Sequence, residues 1–197
     1  MTAQLHDQFR YQNANYDVAG ISDRSIFNPA QFDLEPVATS TICWRGYKVL
    51  YALSGKKLVV KDLHINLFEG GEGYIRKEGR PINGVLPTNS TDEWFGFNNC
   101  YEGIKCPLSY TGGLLLADGF IRDRYVQMDY HPAWKYEQVV ELLFERGTLM
   151  KEEDRSDQMA EVRQKILDSG EDIGTLGMSI PEFVARSFDR TYSAPVG

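Results

Sequence analysis

Short glycine turns flanked by apolar and β-branched runs constrain this chain more than any other feature. Ser54-Gly55-Lys56 separates residues 47–53 from 57–65, and Ala117-Asp118-Gly119 separates residues 112–116 from 120–128. Such a turn between two such runs is the strongest short-range hairpin signal, because glycine accepts the positive φ that tight hairpin turns require. The pattern predicts antiparallel pairing within each set of runs, with Gly55 and Gly119 in the turns. It points to a fold class and assigns no activity.

The flanking segments extend the pattern. Residues 9–11 and 16–21 surround Gln12-Asn13-Ala14-Asn15 and read as an N-terminal hairpin. A loop over 22–36 follows, with Ile26, Phe27, Phe32 and Leu34 expected to anchor it. Residues 37–42 read as a strand that joins 47–53 and 57–65 in a meander. The glycines of 68–83 have the wrong spacing for a phosphate loop and predict a mobile surface loop. Residues 93–110 predict one or two strands broken near Pro107. Residues 131–136 read as a turn or a single helical turn. Residues 137–145 fit helix and strand periodicity alike; Arg146-Gly147, a turn signal before another apolar run, favours strand.

After Asp154 the period changes. Ser156 reads as an N-cap, and Met159, Val162, Ile166 and Leu167 form one apolar helical face. Ser179-Ile180-Pro181-Glu182 reads as a second helix start, with Phe183, Val184 and Phe188 as its stripe. The fold expected is mainly β, α+β by content. An antiparallel barrel or two-sheet sandwich spans 8–155, and a helical appendage of two C-terminal helices spans 156–197. A helix this short is marginal in water, so it must dock on its own sheet or on a second copy, and a homodimer is open.

Composition narrows the function. The chain of 197 residues is 42% hydrophobic, ample for a core, and carries a net charge of −7 that disfavours nucleic acid as a partner. No apolar run approaches the roughly 20 residues of a membrane span, and the first residues lack a secretory pattern, so the expected location is cytoplasmic. Cys43, Cys100 and Cys106 match no zinc spacing, and His6, His64 and His131 are scattered, so no metal site is expected. Hydrolase, metalloprotease and dinucleotide-binding motifs are missing; no catalytic residue and no cofactor is assigned.

What remains are two aromatic segments, Trp94-Phe95-Gly96-Phe97 and Tyr130-His131-Pro132-Ala133-Trp134-Lys135-Tyr136. Aromatics among polar residues on loops serve either as plugs of the core or as recognition surfaces. Trp94, Phe97, Tyr130, Trp134 and Tyr136 are therefore the candidate binding residues. The segment Asn28-Pro29 to Pro36, then Ser40-Thr41-Ile42-Cys43-Trp44-Arg45-Gly46-Tyr47, with Tyr110-Thr111-Gly112 and Asp118-Gly119-Phe120-Ile121, resembles a group of uncharacterised bacterial proteins. The resemblance covers roughly 8–155 and implies a bacterial cytosolic β protein; the group has no known activity, so no residue roles follow from it. The expected function is a non-catalytic protein-binding or regulatory module, with an immunity-type role as one form. The alternative is a small-molecule-binding or hydrolytic β-barrel with an aromatic-lined pocket.

Overall fold

A computed structural model describes residues 3–22, 25–71, 75–89, 96–125, 130–168 and 192. Nine strands make one mixed sheet. They are β1 (Gln8–Tyr11), β2 (Ala14–Ile21), β3 (Tyr47–Ser54), β4 (Lys57–Ile65), β5 (Asn99–Tyr101), β6 (Cys106–Pro107), β7 (Gly112–Phe120), β8 (Tyr136–Glu145) and β9 (Thr148–Asp154). The order is β3-β1-β2-β7-β8-β9-β4-β5, with β6 also on β4. Because β3 pairs with β4 as well, the pairing path returns on itself. The return is narrow: β9 meets β4 at one residue pair, Lys57 with Thr148.

Turn chemistry explains three connections. Gln12 and Asn13 both have positive φ, 45° and 66°, as a two-residue turn between right-twisted strands requires. Gly55, at φ 61°, turns β3 into β4, and Ser54 pairs with Lys57 as expected. Arg146 and Gly147, at φ 45° and 73°, turn β8 into β9, so residues 137–145 are strand.

Three expectations fail. Gly119 does not turn the chain. It lies inside the single strand β7 at φ 70°, and β7 pairs with β8 from Gly112–Phe144 to Phe120–Tyr136. Glycine tolerates the positive φ there and the register continues unbroken to Phe120–Tyr136, and the ten-residue β8 offers a longer partner than residues 120–128. Residues 37–42 form no strand; Val37 instead donates to the carbonyl of Asn66 at 2.9 Å. The sheet is not antiparallel throughout, since β1 runs parallel to β3 from Gln8–Leu50 to Arg10–Ala52. A parallel neighbour needs a long crossover, and residues 22–46 supply it. The architecture is thus one mixed sheet, in place of a wholly antiparallel barrel or two-sheet sandwich. One helix, α1 (Ser156–Asp168), lies among the described residues; the second, from Ser179, lies outside them.

The inner face holds the main core. Phe9, Val18, Val49, Tyr51, Leu58, Leu63, Ile65, Tyr101, Leu114, Leu116 and Leu142 meet there. Loop residues Ile26, Phe27 and Leu34 are buried in the same core and Phe32 packs against it, as expected. A bulge makes β4 fit: the register shifts between Leu50–Asp62 and Tyr51–Val60, so Leu58 and Val60, then Leu63 and Ile65, face one interior. The outer face of β2, β7 and β8 carries a second cluster of Ala19, Leu115, Ala117, Tyr136 and Val139. It is covered by a 3-10 turn at Ala133–Lys135, by Met159 of α1 and by Tyr192. The helix therefore docks on its own chain. Arg163 ties it down, donating to the carbonyls of Trp134 at 2.8 Å and Tyr136 at 2.7 Å.

Candidate functional site

The outer layer gathers the ionisable residues that the inner core excludes. Tyr136 opens β8, and its hydroxyl donates to Asp17 Oδ2 on β2 at 3.1 Å. Burial raises the Asp17 pKa, against the pull of hydrogen bonds from Tyr136 and Gln8. The Tyr136 phenol is raised too, by burial and by the facing carboxylate.

His6 joins this group from the segment before β1. Its Nδ1 lies 3.2 Å from the Val18 carbonyl, and its Nε2 accepts from the backbone N–H of His131 at 3.1 Å. One tautomer satisfies both contacts, the neutral ring with hydrogen on Nδ1. His131 is packed against Phe120, with centroids 4.6 Å apart, and Tyr125, at 5.3 Å. Burial, then Lys135 and His6, push its pKa down to about 4. The ring is neutral at pH 7, with Lys135 Nζ 3.5 Å from Nδ1. The hydrogen then sits on Nε2, which is buried and has no hydrogen-bond partner among the described residues.

A buried ion pair borders the group. Arg45 binds Asp7 through two bonds of 2.8 and 2.9 Å, and Asp7 Oδ1 also accepts from the Val49 N–H at 2.9 Å. Burial alone would lower the Arg45 pKa, but Asp7 holds it well above the usual guanidinium value. The guanidinium lies 4.7 Å from the Tyr47 ring and 5.7 Å from the Tyr130 ring. Tyr130 in turn meets His6 edge-on at 5.2 Å.

The expected binding residues divide. Tyr130 and Tyr136 are in this group, and both are buried. Trp134 is half-buried beside Lys135, whose ammonium lies 5.4 Å from its ring. Phe97 is buried elsewhere, with Cys43 and Cys100. Trp94 lies outside the described residues. The sequence shows His6 and His131 only as scattered histidines, and the fold brings them together. The i, i+4 spacing of His131 and Lys135 across one helical turn was the available signal. Asp7 and Arg45 carried none, being distant in sequence.

Chemically, the group is a set of engaged partners. Asp7, Asp17 and His6 are each committed to hydrogen bonds. The Cys43 thiol, raised by burial, donates to the Tyr47 carbonyl at 3.3 Å and is no thiolate nucleophile. Among the described residues no three His, Cys, Asp or Glu side chains are grouped to hold a metal ion, and no helix is long and apolar enough to cross a membrane. Compared with known proteins, the chain matches no family model, no curated protein and no solved structure.

Proposed function

We propose that the chain is a non-catalytic protein-binding module whose contact face runs from Trp44 to Tyr125. The observation that carries this is exposure: each of these large aromatics is 54% exposed, at opposite ends of the buried ring group. Between them lie Arg45, Tyr130, His6, His131 and Phe120: the guanidinium lies over the Tyr130 ring, Tyr130 meets the His6 ring, His6 accepts from the His131 backbone N–H, and His131 packs on Phe120. Largely buried rings beside exposed Trp44 and Tyr125 and half-buried Arg45 make a rigid platform of the residue types that dominate interface energies. The net charge of −7 favours a basic partner. The pairing path is read as a small side-chain-filled barrel. Phe9, Tyr51, Tyr101, Leu58 and Leu114 occupy its interior, which argues against an internal ligand pocket.

A photo-crosslinking amino acid at position 44 and, separately, at 125 tests this in native cytosol. The expected result is one shared adduct, absent when the crosslinker replaces Met150, which is exposed on β9. Equal adducts from all three positions, or none from 44 and 125, would defeat the reading. One observation favours the small-molecule alternative: the His131 Nε2, without a hydrogen-bond partner among the described residues, belongs to a ring beside buried Lys135. A ligand with an acceptor oxygen there would shift the imidazole nitrogen-15 resonance of His131.

A further inference from the structure

The outer face of β7 and β8 carries a second built feature, independent of the Trp44–Tyr125 face. Glu141 projects from β8 and is 1% exposed. Arg155 Nε donates to its Oε2 at 2.8 Å, and the Tyr192 hydroxyl donates to its Oε1 at 2.7 Å. The backbone N–H of Tyr192 donates to the Ile21 carbonyl at the end of β2, at 3.0 Å. Gly113 lies beside the phenol; a Cβ there would collide with the Tyr192 hydroxyl. The ring packs on the apolar cluster of Ala19, Leu115 and Val139. The acceptor carboxylate, the strand-end carbonyl and the missing side chain together fit one tyrosine and its own backbone.

A carboxylate this buried is costly unless its lone pairs are filled. Here one of the two carboxylate oxygens is satisfied by Tyr192, a residue later in sequence than α1. A segment bound within its own chain competes at an effective concentration on the order of 1 mM, so if its intrinsic Kd is about 100 μM a free competitor binds roughly tenfold more weakly than to a vacant notch.

We propose that Gly113, Glu141, Arg155 and the Ile21 carbonyl form a docking notch for a partner polypeptide that presents a tyrosine in an extended segment, and that Tyr192 fills it in cis as an intramolecular competitor. The partner's phenol replaces that of Tyr192 on Glu141, and its backbone N–H replaces that of Tyr192 on Ile21. The interaction is closed by default and opens to a segment that outcompetes the chain's own.

The test uses the full chain and a labelled synthetic peptide of residues 186–197. Full-length Tyr192→Ala, with the notch vacated, should bind the peptide saturably, and wild type about tenfold more weakly. A peptide with Phe in place of its tyrosine should lose about fivefold, the worth of one hydrogen bond. Gly113→Val in the Tyr192→Ala chain should abolish binding. Full-length Tyr192→Phe keeps the ring and loses only the hydroxyl, so it covers the case in which Tyr192→Ala misfolds; it should bind the peptide between the two extremes. Equal binding to wild type and vacated chain overturns the proposal, as does no binding to a folded vacated chain or binding indifferent to Gly113→Val. A concentration-dependent wild-type dimer lost in Tyr192→Ala would give the notch to a second copy and overturn the cis assignment.

Discussion

The two faces of the same sheet are stabilised by different physics. On the inner face Phe9, Val49, Leu58, Leu63, Leu114 and Leu142 are all 0% exposed, and contact is apolar on apolar. The outer face of β2, β7 and β8 has its own apolar cluster, but Asp17, Glu141, Lys135 and His131 are folded into the layer above it. Inner-face stability scales with area removed from water and with packing. Outer-face stability depends on pairing, since each buried charge is tolerable only while its partners remain. The inner face should therefore respond to changes of volume, and the outer face to changes of partner and of pH.

The largest expected effect is on the inner face. Phe9→Ala removes a fully buried ring and should destabilise by about 3–5 kcal/mol, read as a lower urea midpoint with little pH dependence. A cost under about 1 kcal/mol would show that the core collapses around the gap and that the contrast is weaker than drawn.

On the outer face, Arg155→Ala should cost about 3 kcal/mol by leaving buried Glu141 with the Tyr192 hydroxyl as its remaining partner. Replacing both groups, Glu141→Leu with Arg155→Met, should recover part of that loss, which no pair replacement does for Phe9. A double mutant as unstable as the sum of its singles would break the distinction.

The third effect separates the faces by pH. The folded-state pKa of His131 is about 4, against 6.5 when unperturbed. The unfolded chain therefore binds more protons between those values. Stability contributed by the neutral ring is present above pH 6.5 and is lost as pH falls toward 4, with an upper limit of about 3 kcal/mol. Asp17 acts in the opposite direction: its raised pKa favours the folded state below that pKa and weakens it as pH rises through it. Urea melts at pH 4.5 and 7 should show a loss on acidification in wild type and a smaller loss in His131→Gln. An equal loss in both would place the pH sensitivity elsewhere.

The smallest effect is Tyr136→Phe. It removes one hydroxyl from Asp17 while keeping the ring, and should cost about 1 kcal/mol. The Asp17 pKa, followed by carboxyl NMR, should rise further because a bond that lowers it is gone. A fall would mean that solvent enters the vacated position.

Gly55 and Gly119 show where reading the sequence succeeds and where it stops. Both sit in turn-like tripeptides and both adopt positive φ, 61° and 70°. Around Gly55 the two runs are each other's best partners, and the hairpin forms. Around Gly119 the preceding run pairs with β2 on one edge and β8 on the other, so no edge is left for the run that follows. The same glycine conformation then serves a straight-running strand. The aromatic segment at 130–136 was legible as notable, but its place in a polar layer was not, because His6, Asp17 and Arg45 reach it from elsewhere in the chain.

By itself the sequence determined what depends on residues a few positions apart. These are the turns at Gln12-Asn13, Gly55 and Arg146-Gly147, and the start of α1 near Ser156; for 137–145 the periodicity fitted helix and strand alike, and the turn after it only favoured strand. Backbone sterics and local alternation suffice for such features. Only the tertiary structure decided that β1 runs parallel to β3, that Asp7 holds Arg45 and that Glu141 is shared by Arg155 and Tyr192. Many strand pairings and charge pairings are locally equivalent. The choice among them is made by the one arrangement that buries the apolar face and leaves the buried charges with partners at the same time.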